Sequence, residues 1–383
     1  MANRILRAGA FAASAVAGLA LAGAASAETL KYAFGYPAAS TVGIAADDYA
    51  AAIKERSGGS VTVRNFPMSL LSLAETGPGL RDGMADIGYV VAALTPKDFP
   101  RYMLMQDLQL MVNLQEPRGK ESVAYAGAVI EYTLTKCPKC LTEFQGQNQV
   151  YMGGATSSIN MALCTKPVRT LDELKGMKVR VSHAVVNRLF TNLGATPVQF
   201  PANETYEALS QGVVDCSQLS LPELTNMSLA DVVKYVTVDL PGGLSSNVAV
   251  NNINLDSWRK LNDDQRAAVL WGASQISADI TWGYYADAIT NQKVAADKNI
   301  QLVNGDPAAM DKMREFARND RPGTLAGYKS NFGVDDADTI AADFEAMYAK
   351  WLDLVDPIES RDQLRELFWT QMFKNVDPKT YGM

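Results

Sequence analysis

Four residues recur with one spacing at two places in this 383-residue chain: Glu75, Leu80, Gly83 and Asp86, and again Glu204, Leu209, Gly212 and Asp215, an E-x4-L-x2-G-x2-D pattern repeated 129 positions later. Each copy follows a Phe-Pro pair, Phe66-Pro67 and Phe200-Pro201. The pattern reads as a helix closed by a glycine in the left-handed conformation, then a tight turn into a strand. Used once per half, it calls for two similar lobes, and the length suffices for two cores of ordinary size. The copies differ in that Gly77-Pro78-Gly79 is expected to interrupt the first helix. Strand-like and helix-like stretches alternate along the chain with no Gly/Ser linker, which favours an α/β architecture. Thr29 to Phe34 reads as a strand. Val42, Ala46, Tyr49 and Ile53 share a helical face that stops at Ser57-Gly58-Gly59, and Val61 and Val63 alternate in the next strand.

The stretch Thr170 to Ser220 is the most strongly patterned. Thr170-Leu171-Asp172-Glu173 fits a capping box, and Gly176 ends its short helix. Lys178-Val179-Arg180-Val181 alternates, with the valines facing a core and Arg180 on the other face. Ser182 is placed to cap the helix carrying Val186, Leu189, Phe190 and Leu193, and Asn203 to cap Glu204 to Gln211. Arg180 thus ends a strand just before a helix N-terminus, where guanidinium and free N–H groups from Ser182 to Val185 can converge on an anion. On spacing alone, an arginine there is more often a solvated or salt-bridged one, and His183 a surface or capping residue.

Composition narrows the function. The chain is 48% hydrophobic and 20% charged, with 35 Lys and Arg against 42 Asp and Glu, so its field repels nucleic-acid phosphates. The single histidine, His183, excludes a multi-His metal centre, and no Asp/Glu cluster has a metal-loop pattern, so neither metal nor cofactor is expected. Residues 1–27 read as a signal peptide: Arg4 and Arg7, an Ala-rich apolar run, then Ala25-Ser26-Ala27 as the cleavage site. No later stretch reaches 18 apolar residues, so the exported chain is not expected to insert in a membrane. Cys137-Pro138-Lys139-Cys140 has redox-motif spacing but follows a helix marked by Val123, Gly127, Ile130 and Leu134, which favours a structural disulfide over thiol-disulfide catalysis. Four cysteines allow three pairings.

With these residues in view, the chain resembles the solute-binding subunit of a tripartite ATP-independent periplasmic (TRAP) transporter, of the DctP type. The resemblance is carried by Leu174-Lys175-Gly176-Met177-Lys178-Val179-Arg180-Val181, Leu193-Gly194-Ala195-Thr196-Pro197-Val198, the segment from Glu204 to Asp215, and Leu80 to Gly88 in the first half. It implies an α/β, two-lobed periplasmic-binding-protein-like fold with a hinge and a long C-terminal helix bracing both lobes. The lobes would comprise 28–157 plus about 246–285, and 158–245 plus about 286–383. It implies a periplasmic, non-catalytic receptor that closes on a small organic acid and delivers it to integral-membrane TRAP subunits. Arg180 maps onto the arginine that clamps the substrate carboxylate, His183 and Asn160 onto positions lining the site, and Tyr36 and Tyr89 are the first-lobe candidates. Where relatives carry Gly and then a segment with an Asn near the ligand, this chain has Cys216-Ser217-Gln218-Leu219, leaving Gln218 as a substitute contact. That departure places Cys216 near the hinge, and a Cys164–Cys216 bridge is expected beside Cys137–Cys140. The alternatives to transport are a thiol-disulfide protein using Cys137 and Cys140, and a ligand sensor. Toward the C-terminus, Ala267, Leu270, Trp271, Ser274, Ala278 and Trp282 form one apolar stripe, and Phe344, Met347, Trp351 and Leu354 a second that is available to a core or a dimer.

Overall fold

A computed structural model describes residues 27–246 and 248–383. All but the last residue of the expected signal peptide therefore lies outside the described residues. The strands are β1 (Glu28–Phe34), β2 (Val61–Pro67), β3 (Ile87–Val91), β4 (Gln149–Val150), β5 (Asn160–Cys164), β6 (Lys178–Val181), β7 (Thr196–Gln199), β8 (Cys216–Ser220), β9 (Tyr235–Pro241), β10 (Val248–Asn254) and β11 (Gln301–Val303). They form two sheets, β2-β1-β3-β10-β4 and β7-β6-β8-β5-β9-β11. The repeated sequence pattern is a repeated topology. Each sheet contains three parallel strands in the spatial order second-first-third, β2-β1-β3 and β7-β6-β8, joined through helices and flanked by an antiparallel strand, β10 or β5.

The conserved spacing has a physical basis at the turn into the third strand. Gly83 and Gly212 hold φ of 76° and 70°, and no side chain is strained by that turn because neither has a Cβ. Three residues later Asp86 accepts the Lys31 backbone N–H at 2.9 Å and returns its own N–H to the Lys31 carbonyl at 3.0 Å. Asp215 does the same with Lys178, at 3.0 and 2.8 Å. The aspartate thus pins the third strand of each unit to the first and fixes the register.

Local readings held unevenly. The helix Leu73–Arg81 runs through Gly77-Pro78-Gly79 instead of breaking there, started by a Ser72/Glu75 capping box. Thr170 accepts the Glu173 N–H at 3.1 Å, but the Glu173 carboxylate bonds the Arg169 N–H and guanidinium, so the second half of that box is not closed. Asn203 does not cap: the helix Thr205–Ser210 begins after a 3₁₀ turn over Ala202–Glu204, with no side-chain cap.

Besides the helix Pro307–Phe332, which carries the chain back from the second lobe to the first, three connections join the lobes. One is the 35-residue helix Asp263–Asp297, about 50 Å long, which starts on the first lobe and ends beside β11. It is buried nearly all round from Ala268 to Thr281 because helices of the first lobe surround it there, so the expected single stripe understates its burial, and it meets the second lobe from Tyr284 onward. The others, between β4 and β5 and between β9 and β10, run antiparallel: Ser157 N–H bonds the Ser245 carbonyl at 2.8 Å and Asn160 N–H the Gly243 carbonyl at 3.0 Å. Gln106, Gln109 and Asn113, buried or half-buried on the first lobe, accept the N–H groups of Ser246, Leu244 and Gly243 at 2.6, 2.7 and 3.1 Å.

The C-terminal segment corrects the expected lobe boundary. In the helix Pro307–Phe332, Met313 and Ala317 join the core beneath β6, whereas Leu325 and Tyr328 join that of the first sheet. Everything from Val334 to Phe373 follows, because the apolar faces of the helices Ala337–Val355 and Arg361–Gln371 complete the first core. Trp351, fully buried, lies over Gly127, where a Cβ would stand 2.1 Å from the indole. The second stripe therefore packs within the chain, with Phe344 and Trp351 wholly buried and Met347 and Leu354 partly buried against the same core.

Both disulfides are present, Cys137–Cys140 and Cys164–Cys216. Cys137 follows the helix Glu121–Thr135 as expected, but it also caps the next helix, Pro138–Gly146, its sulfur accepting the Cys140 N–H at 3.2 Å. Cys164 and Cys216 face each other across β5 and β8. They lie at the end of that pair opposite the hinge segments, which corrects the expectation that they sit beside the hinge.

Candidate functional site

Strands β3, β6 and β8 point their C-terminal ends at the junction of the lobes, where open α/β sheets gather ligands. A cavity of about 70 Å³ lies there, lined by both lobes, both hinge segments and the long helix. Five of the six predicted binding residues line it: Tyr36, Tyr89, Asn160, Arg180 and His183. Gln218 does not. It is fully buried with neither amide atom partnered, on the same face of β8 as Ser220 but one pleat further from the cavity.

Arg180 is 2% exposed, so its strand face is neither solvated nor paired with an acid. Its Nε and Nη2 donate to the Phe200 carbonyl at 3.0 and 2.9 Å, and the guanidinium lies 5.8 Å from the Phe200 ring. The Phe-Pro pair after β7 thus holds the arginine in place and leaves Nη1 without a protein partner, in the cavity wall. Burial lowers its pKa to about 10, against the pull of Tyr36, Glu223 and Glu204, so it stays charged at neutral pH.

His183 occupies the cap position expected for Ser182, before the helix Ala184–Asn192, and makes no capping bond. Its ring is buried with both nitrogens unpartnered, and burial, then the Arg180 charge, pushes its pKa down to about 3, which keeps it neutral. The helix N-terminus is only partly open to an anion, because one of its N–H groups meets an acid of the other lobe. Val185 N–H points to Asp107 Oδ1 of the first lobe at 3.4 Å, and Asp107 Oδ2 accepts the Tyr328 hydroxyl at 3.1 Å. A protein carboxylate already occupies that end of the dipole.

Asn160 is spent on the hinge: its Nδ2 donates to Ser245 Oγ and its Oδ1 accepts from Ser157 Oγ, both at 3.3 Å. Tyr36 and Tyr89 meet edge to face with centroids 5.4 Å apart, forming the first-lobe wall, and burial raises both hydroxyl pKa values.

Sequence reasoning missed Glu223. It opens the short helix Glu223–Asn226 after β8, is 3% exposed, and accepts the Tyr284 hydroxyl at 2.8 Å through Oε1 while Oε2 has no partner. Burial raises its pKa to about 7, opposed by the Tyr284 bond and by Arg180. Ser182 and Ser220 also present unpartnered hydroxyls to the cavity. The available signal was an acid three residues beyond a wholly apolar-flanked strand end. Among the described residues no His, Cys, Asp and Glu cluster is arranged to hold a metal, and no helix is long and apolar enough to cross a membrane.

Two α/β lobes on paired antiparallel hinge segments, with a cavity between them that both lobes line, define the two-lobed solute-receptor class. The chain belongs to the bacterial extracellular solute-binding protein family 7, DctP, which it matches over residues 33–319. A solute-binding protein of Albidiferax ferrireducens is 20% identical over 272 residues, 71% of this chain and 77% of that one. Two solved TRAP solute-binding proteins share the fold. One, from a marine metagenome, is specific for aromatic acid ligands and holds 3-hydroxybenzoate (TM-score 0.73, 20% identity, 85% of this chain and 99% of that one). The other, from Bordetella bronchiseptica, holds (R)- and (S)-mandelate (TM-score 0.70, 24% identity, 84% and 99%).

Proposed function

We propose that this protein is an exported, periplasmic receptor that captures a small organic acid between its lobes and presents it to the membrane subunits of a TRAP transporter. The observation that carries the reading is Arg180: a buried, charged guanidinium that lines the inter-lobe cavity and whose Nη1 has no partner. An unpaired buried charge is costly, and a carboxylate is the group that relieves it with charge-assisted bonds. Because the cavity walls come from both lobes, an acid bound there favours the closed arrangement, the form a transporter can distinguish from the empty one. The acids held by the two solved relatives fit this chemistry. Both members of the Cys137–Cys140 pair are buried, which gives no exposed sulfur for thiol exchange.

The test is a thermal-shift screen of protein unfolded and refolded to strip bound ligand, against organic acids, sugars and uncharged analogues. Ligand at about a hundred times its dissociation constant adds about 2.7 kcal/mol, a shift of several degrees. Stabilisation confined to carboxylates is expected. Stabilisation by neutral sugars alone, or by no compound, overturns the reading.

A further inference from the structure

Resting on the reading of the inter-lobe cavity as the solute site, we infer that the solute is a small monocarboxylic acid that also carries an N–H or O–H donor, with Arg180 holding the carboxylate and Glu223 accepting from the donor. Beside the neutral His183, Ser182 and Ser220, the cavity is lined by one buried cation and one buried acid that are incompletely satisfied and form no ion pair with each other among the described residues: Arg180 through Nη1 and Glu223 through Oε2. Their other polar atoms are committed, Arg180 to the Phe200 carbonyl and Glu223 Oε1 to the Tyr284 hydroxyl. Within this pair one charged donor and one acid acceptor therefore remain across a common space, and the ligand that serves both must supply the complement of each, the neutral hydroxyls of Ser182 and Ser220 and the His183 ring adding weaker contacts. A bare acid satisfies only the arginine. A dicarboxylate brings a second negative charge toward the glutamate. A volume of about 70 Å³, room for on the order of five waters, places the donor within a few atoms of the carboxylate.

The other groups around Glu223 leave this division intact. Tyr284 donates to Oε1; Tyr36 and Tyr89 from the first lobe have hydroxyls raised by burial and stay neutral; His183, at about 3, is neutral. Glu223, at about 7, is then the group facing the cavity that titrates near neutrality. A donor ligand prefers the ionised carboxylate, so its binding weakens as pH falls from 8 to 5.5.

Matched pairs test this on the refolded wild-type protein by calorimetry: lactate against propionate, mandelate against phenylacetate, proline against cyclopentanecarboxylate, and succinate alone. For at least one pair the donor-bearing member is expected to bind ten- to a hundredfold more tightly, the worth of one hydrogen bond to a charged group. Succinate should be weaker than that member. In Glu223→Leu the difference within the pair should vanish, and in Glu223→Gln the pH dependence should vanish. Equal binding of both members, tightest binding of succinate, or a preference that survives in Glu223→Leu overturns the inference while leaving the cavity an acid site. Absence of binding by every carboxylate in the panel removes the cavity reading itself. The wild-type comparison stands even where a variant is unstable.

Discussion

Replacing Arg180 with methionine should separate function from stability, and the structure sets both magnitudes. The variant keeps an unbranched stem and removes the guanidinium. In the unliganded protein it loses two bonds that share a single acceptor, the Phe200 carbonyl, and a ring contact at 5.8 Å, together about 3 kcal/mol. Against this, the charge is buried and its pKa is displaced downward to about 10, a net penalty of about 3 kcal/mol, desolvation less the attraction of Tyr36, Glu223 and Glu204, that the methionine does not carry. The two nearly offset, so urea unfolding of stripped protein should shift by no more than about 1 kcal/mol. Binding behaves differently. A carboxylate enclosed without its cation loses about 2–5 kcal/mol, a thirty- to several-thousandfold rise in Kd, read by calorimetry with the tightest acid of the panel. A variant destabilised by more than about 3 kcal/mol would make Arg180 a structural residue, and a Kd within threefold of wild type would remove it from the site.

Other expectations follow from single features. Glu223 and Asp107 have folded pKa values raised to about 7 and about 6; a raised acid holds its proton longer in the folded state, so its stabilisation is full below about pH 4 and lost by the time pH passes the folded value. Stability measured in urea from pH 4 to 8 should therefore rise in Glu223→Gln relative to wild type as pH increases, by up to about 3 kcal/mol, and a constant difference refutes the raised value. The Cys164–Cys216 bridge spans 52 residues and Cys137–Cys140 spans 3, so paired alanine replacements should cost about 4 and about 2 kcal/mol, with ligand affinity unchanged in both. Gly127→Val puts a branched side chain where Trp351 lies 2.1 Å from a bare Cβ, and unfolding should shift by about 1–3 kcal/mol or more; a neutral result would mean the helices are not packed this closely. Gly243→Ala demands φ of 68° and a Cβ 2.8 Å from Gln109 Oε1, the atom that holds Leu244 N–H, so stability should fall by about 1–2 kcal/mol.

What the sequence disclosed and what it concealed divide along a physical line. Features satisfied locally could be read: glycines at 83 and 212, forced by the left-handed turn, announced the repeated unit, and alternation in Lys178 to Val181 set Arg180 across from the core. The register of that echo even explains the aspartates, each bonding a lysine backbone in the first strand of its unit. Features settled by packing between distant segments could not be read. Whether the helix after Asp336 completes the first or second core depends on its fit over Gly127, and only the three-dimensional arrangement brings Trp351 there. The same holds for charge. The helix N-terminus after His183 carried every local sign of an anion site, yet Asp107, 78 positions upstream of Val185, reaches it first. Glu223 carried only the weak sign of an acid just past a strand end, because an acid beside Pro222 reads as a turn until Tyr284, on a helix shared by both lobes, closes over one of its oxygens and leaves the other unpartnered in a residue that lines the cavity. Arg180 and Glu223 are placed by opposite routes, the first by strand alternation and a Phe-Pro carbonyl, the second by tertiary closure. Affinity for an acid therefore resides in a residue the local pattern specifies, and discrimination among acids in one that exists as a contact only once the lobes meet.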